Sequence, residues 1–134
     1  DGMDLGVCVI DSETNKLSYA GAMRPLYIYR EGVRNTLKGN RYSVGGISQV
    51  GKYFESQSFQ LEKGDTLYMF SDGFPDQFGG EKGKKYKYRK FRELLLRIHK
   101  LDPSVQKKLI EDEFVYWKHE LEQVDDILVA GVKI

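Results

Sequence analysis

The chain has 134 residues, 40% of them apolar, which is room for one domain around a single core. A formal net charge of +1 removes bulk charge as an argument for nucleic acid or an anionic membrane as partner. One cysteine rules out an internal disulfide. No Cys/His cluster has zinc spacing, and no apolar run approaches the ~20 residues of a membrane span.

Residues 4–10 are apolar and β-rich, and they contain Cys8, which reads as a buried, inert thiol. Asp1-Gly2-Met3-Asp4 leads into that run and reads as a turn or strand start. The stretch from Asp11 to Lys16 is a polar turn. Residues 17–22 and 26–30 follow as strands with Pro25 between them, then a Glu31-Gly32 turn and an edge strand over 33–38. Residues 39–46 read as an irregular loop and 53–61 as a strand. Glu62-Lys63-Gly64-Asp65 is a hairpin signal leading into Thr66-Leu67-Tyr68-Met69-Phe70-Ser71-Asp72-Gly73.

Beyond Asp72 the period changes. Phe91, Leu94, Leu95 and Ile98 fall at the spacing of an amphipathic helix. Asp102-Pro103 starts a second helix, with Asp at the N-cap and Pro in the first turn, and Ile110, Phe114, Trp117 and Leu121 mark its inner face. A last strand over 127–134 follows Val124-Asp125-Asp126. Many strands, two consecutive helices and a closing strand predict one α+β domain over 1–134, with sheet in the middle and helices on one face.

Two acidic motifs stand out: Asp72 at the end of one apolar strand and Asp125-Asp126 at the start of another. Strand ends are rigid, and carboxylates aimed from two of them can converge on a hard cation such as Mg2+ or Mn2+. Taken singly, Asp-Gly is turn chemistry and an Asp pair faces solvent. Adjacent acids at the end of a core strand are costly unless something positive neutralises them.

Lys84, Lys85, Lys87, Arg89, Lys90 and Arg92 interleave with Tyr86, Tyr88 and Phe91, which suits a phosphorylated or nucleic-acid ligand. The plainer reading is a solvated loop running into a helix with a basic polar face. Arg24, just before Pro25, is a candidate phosphate contact. His99 and His119 lie at helix positions with no Ser or Cys in a nucleophile setting, so neither reads as catalytic.

Taken in order, four stretches resemble the C-terminal part of the PPM-type phosphatases, the metal-dependent, protein phosphatase 2C-like serine/threonine phosphatases, in their bacterial SpoIIE-type branch. They are Leu17-Ser18-Tyr19-Ala20-Gly21-Ala22-Met23-Arg24-Pro25-Leu26-Tyr27-Ile28, then Val44-Gly45-Gly46, then Leu61 on through Asp72-Gly73, and Gln123-Val124-Asp125-Asp126-Ile127-Leu128-Val129. The resemblance implies a layered β-sandwich with flanking helices. It makes Asp72 and Asp125 metal ligands, with Gly73 and Asp126 as their immediate neighbours. It implies two Mn2+ or Mg2+ ions per complete site, holding a water or hydroxide that attacks phosphoserine or phosphothreonine directly. The implied partner is a phosphoprotein resembling an anti-sigma-factor antagonist, in bacterial cytoplasmic signalling.

Three departures matter. Met23-Arg24 replaces the family's glycine-histidine, Ser71 replaces threonine, and the N-terminal Gly-Asp and Asp-Gly-His-Gly motifs are missing. The chain therefore reads as the C-terminal portion of a phosphatase domain. Such a piece is expected to be inactive alone, open to self-association, and attached to upstream sensor or membrane segments. The alternatives are a non-catalytic pseudophosphatase interaction module and, more remotely, an anion- or nucleic-acid-binding α+β domain.

Overall fold

The computed structural model describes residues 1–46 and 51–134. Its middle layer is a four-stranded antiparallel sheet, and β4 (Leu26–Arg30) shows why it lies there. Every side chain from Leu26 to Tyr29 is at most 5% exposed, so both faces of this strand are covered. Leu26 and Ile28 point to one side, where they pack with Leu17, Tyr19, Leu61 and Leu67. Tyr27 and Tyr29 point to the other and join Tyr68, Phe70, Phe74, Phe91 and Leu94. A strand apolar on alternate faces, each with a different apolar partner, belongs in the middle of a stack.

In chain order, β1 (Gly2–Met3) and β2 (Leu5–Asp11) precede β3 (Lys16–Ala22), and β5 (Val33–Leu37) and β6 (Val44–Gly45) follow β4. Then come β7 (Gln57–Gln60), β8 (Thr66–Phe70), the one-turn helix α1 (Gly73–Asp76), β9 (Phe78–Gly79) and β10 (Lys84–Lys85). Helices α2 (Tyr88–Ile98) and α3 (Pro103–Lys118) lead to β11 (Val129–Lys133). The central sheet has the order β11-β8-β4-β5, and a three-stranded sheet β2-β3-β7 packs against its inner face. Helices α2 and α3 cover the other face. The layered α+β arrangement expected from the pattern is the one found.

Several predicted boundaries shift. Residues 39–46 are not wholly irregular, because Val44 and Gly45 pair with Met3 and Gly2. The strand expected over 53–61 is confined to Gln57–Gln60, where it pairs with β3. The last strand starts at Val129 rather than 127. Leu121 is exposed, since α3 ends at His119 (φ 48°) and the chain turns away before reaching it. Asp102 occupies the N-cap position, but its side chain makes no capping bond and its carbonyl alone accepts the Gln106 N–H, at 2.9 Å. Cys8 is half-buried against the inter-sheet layer, and burial pushes its thiol pKa up, which disfavours the reactive thiolate.

The predicted turn before β8 is tied down by charge. Asp65 is 1% exposed and takes a two-point contact from Arg30, Nε at 2.8 Å and Nη2 at 2.7 Å, plus the Glu62 N–H at 2.8 Å. This clamp fixes where β8 starts and so where its acidic end emerges.

Candidate metal and phosphate site

At the far end of β8, Ser71 joins the two acidic motifs. Its N–H donates to the Leu128 carbonyl at 3.0 Å. Its hydroxyl donates to the Asp126 carbonyl at 2.9 Å and accepts the Leu128 N–H at 3.0 Å. These bonds extend the pairing of β8 with β11, in which Phe70 lies opposite Val129. Gly73 permits the closeness: a Cβ there would stand 2.2 Å from the Asp126 carbonyl oxygen. The structure therefore brings the backbones of 71–73 and 126–128 side by side.

Asp72 adopts helical backbone angles and opens α1, its carbonyl accepting the Asp76 N–H at 3.0 Å. Its side chain is 44% exposed. Asp125 and Asp126 are exposed, and the Asp125 carboxylate takes the Asp126 N–H at 2.8 Å. The Gln123 amide donates to the Asp125 carbonyl at 2.9 Å, pinning the turn.

Arg24 reaches this end of the sheet from the inner side. Its guanidinium lies 3.7 Å from the Asp72 carboxylate and 3.9 Å from that of Asp4. Met23 at φ 62° turns the chain just before it, and the Tyr19 hydroxyl holds the Arg24 carbonyl at 2.8 Å. The Nε of Arg24 is buried without a hydrogen-bond partner. A partly buried guanidinium with a spare donor, standing between two carboxylates, suits an anionic ligand.

Asp4 was read as a strand start, but the structure adds it to the site. The Ser43 hydroxyl donates to it, and the bridge of Leu5 to Met23 sets it beside Arg24. Tyr88 is a second addition. Burial pushes its phenol pKa up, Arg24 opposes the rise, and Asp72 and Asp76 reinforce it. Asp4 carried no local signal, because it reaches the site through a long-range pairing, whereas Tyr88 was visible only as part of the basic and aromatic run.

Carboxylate and carbonyl oxygens are the donors a hard divalent cation takes, so Asp72 and the segment at 125–126 fit Mn2+ or Mg2+ in kind. They fall short in number: among the described residues no group of three or more His, Cys, Asp or Glu side chains could hold a metal.

The same arrangement of sheets and helices occurs in known phosphatase domains. The SiaA-PP2C domain of Pseudomonas aeruginosa superposes with a TM-score of 0.86 at 28% identity, over 98% of this chain and 51% of that one. The phosphatase domain of the cell fate determinant SpoIIE from Bacillus subtilis superposes with a TM-score of 0.68 at 22% identity, over 98% of this chain and 58% of that one. A manganese-presoaked form of the Bacillus domain gives 0.67 at the same identity. The chain thus spans a little over half the length of these structures. No curated protein sequence matches it. The family model described as Stage II sporulation protein E (SpoIIE) matches residues 2–134, and this chain belongs to that family, with the fold of a PP2C-like phosphatase domain.

Proposed function

We propose that the chain contributes one side of the catalytic centre of a metal-dependent protein serine/threonine phosphatase acting on a bacterial signalling phosphoprotein similar to an anti-sigma-factor antagonist. The observation that carries this reading is the Ser71 junction, which holds the Asp72 and Asp125 segments together at one end of β8 and β11. Asp72 and Asp125 would hold Mn2+ or Mg2+, with Asp126 and Gly73 shaping the approach. Bound there, such cations lower the pKa of water and screen the charge of the phosphate. Arg24 would orient the phosphoryl oxygens with its spare donors. The remaining metal ligands would come from residues outside these 134, in keeping with the half-length match to the related structures. On this reading the 134 residues alone bind metal weakly and turn over little or no phosphate.

In this proposal the protein works in the cytoplasm, and upstream segments carry its sensor or membrane attachment. The described residues contain no helix long and apolar enough to cross a membrane. Self-association of the isolated chain is favoured by the outer edge of β11 and by Val7 and Val9, which are 52% and 60% exposed.

The test is manganese-dependent hydrolysis of p-nitrophenyl phosphate by the protein carrying a full-length domain. Asp72→Asn and Asp125→Asn should each lower the rate by at least the roughly 10–100-fold that even indirect metal contacts cost. Full activity in both variants would refute the assignment. A second reading, a pseudophosphatase that binds a phosphoprotein without hydrolysing it, draws on Arg24 standing beside Asp72 where a cation would sit. It requires phosphoprotein binding with no manganese-stimulated turnover.

A further inference from the structure

The basic run of the sequence is solvent-exposed, as the plainer reading has it, and it also edges a cleft. Lys82, Lys84, Lys85, Lys87, Arg89 and Lys90 line a cleft of about 570 Å3 between the β9/β10 hairpin and the ends of α2 and α3. Glu81 is the one carboxylate on its wall. Lys85 is paired with Asp76 at 3.5 Å and Arg89 with Glu93 at 3.6 Å. Among the described residues no carboxylate comes within 4.0 Å of Lys82, Lys84, Lys87 or Lys90. In a chain of net charge +1, this is a concentrated positive field.

The floor of the cleft is fixed. The Trp117 indole N–H donates to the Gln77 carbonyl at 2.8 Å, and the Trp117 carbonyl accepts the Gly80 N–H at 3.0 Å. Gly79 leaves room for that carbonyl, since a Cβ there would stand 1.9 Å from it. The Lys90 ammonium sits 4.1 Å from the centre of the Trp117 ring, and Tyr86 meets the ring edge-on at 5.2 Å. With Lys90 over it and Tyr86 at its edge, the ring acts as a floor already engaged by a cation, which leaves less of it for a nucleobase to stack on.

The cleft is wired to the acidic end of β8. Lys85 pairs with Asp76, the Lys87 N–H donates to the Pro75 carbonyl at 2.8 Å, and the Asp76 N–H donates to the Asp72 carbonyl. We propose that this cleft docks an acidic segment of the phosphoprotein substrate, holding it by Lys82, Lys84, Lys87 and Lys90 so that the phosphorylated residue is delivered toward Asp72. The substrate identity rests on the phosphatase reading above; the anion-binding cleft does not.

Trp117 is the sole tryptophan, so its fluorescence reports on the cleft. The chain would be titrated with a hexaglutamate peptide at about 50 mM and about 300 mM salt, a range across which screening of exposed charges grows markedly. A saturable fluorescence change that weakens with salt is expected. It should weaken about tenfold or more in a Lys82→Glu, Lys84→Glu, Lys87→Glu variant and persist when the same three become Arg. Absence of binding at low salt, equal binding by the Glu variant, or tighter binding of an oligothymidylate of equal length would each overturn the proposal. In the full-length domain the Glu variant should raise KM for the phosphoprotein about tenfold and leave hydrolysis of p-nitrophenyl phosphate unchanged. If hydrolysis proves insensitive to Asp72→Asn while peptide binding behaves as expected, the phosphatase assignment fails and the cleft stands.

Discussion

Ser71 and Asp126 are bonded to each other across the seam between β8 and β11, 55 residues apart in the chain, through a hydroxyl that also accepts the Leu128 N–H. Ser71→Ala removes both side-chain bonds. At about 1 kcal/mol each, and with partial access to water for the freed groups, the expected loss is about 1–2 kcal/mol in urea unfolding. Ser71→Thr keeps the hydroxyl and should restore most of it. A stability unchanged in the Ala variant would show that the seam is held by the strand pairing alone.

Gly73 tests the same seam by crowding. Its backbone is helical, so alanine is conformationally acceptable, but the added methyl would meet the Asp126 carbonyl at 2.2 Å. A backbone atom cannot yield as a side chain can. Gly73→Ala should therefore cost about 1–3 kcal/mol, the usual range for overpacking. It should also weaken manganese binding to the full-length domain by separating the two acidic segments. Normal stability together with normal metal affinity would contradict the close approach.

The Arg30 and Asp65 clamp predicts a pH signature. Burial raises the Asp65 carboxyl pKa, but the Arg30 guanidinium and the Glu62 N–H outweigh it, and the net result lies below the ordinary 3.8. The folded state thus binds a proton less readily than the unfolded chain. The stabilisation is complete above the unfolded pKa and is lost as pH falls from about 5 through the lowered folded value. Arg30→Met should cost about 2 kcal/mol at pH 7, less than the 3–5 kcal/mol of a wholly buried pair because the guanidinium is partly solvated. In that variant the acid-side loss between pH 5 and 3 should vanish or reverse, measured by urea unfolding at each pH.

His99 acts in a different window. The ring is 2% exposed, stacked on Tyr29 at 5.5 Å, and its Nδ1 has no partner. Burial pushes its pKa below 6.5, Lys100 and Lys133 lower it further, and Glu31 opposes them. The neutral ring is favoured in the fold, so the unfolded chain takes up the proton first. Stability should be flat above about pH 6.5 and fall as the pH drops below it, levelling once the folded imidazole is itself protonated. His99→Phe should flatten thermal unfolding temperatures between pH 7 and 5. An identical slope in the variant would assign the acid sensitivity elsewhere.

Elements defined by local chemistry were readable from the residues. Residues 26–30 alternate two apolar faces between Pro25 and Glu31-Gly32, and the strand observed is Leu26–Arg30. Phe91, Leu94, Leu95 and Ile98 carry the helical period, and all four are at most 1% exposed. The β9/β10 hairpin left no such trace. Each strand is two residues long, and its shape depends on Gly79 and Gly80 meeting Trp117 from a distant helix. The acidic ends at Asp72 and Asp125 were visible as carboxylates flanking apolar runs. Asp4 was not, because its place beside Arg24 comes from the register of β2 on β3 and from Ser43, 39 residues away.

The seam at Ser71 also dictates when this part of the molecule can come into being. Closing a loop of that length costs entropy before the pairing of β8 with β11 rewards it, so the junction is expected to form late, once α1, α2 and α3 have ordered between its halves. Damage to the aromatic packing of Phe74, Phe91 and Phe114 would therefore surface first as a site that fails to assemble.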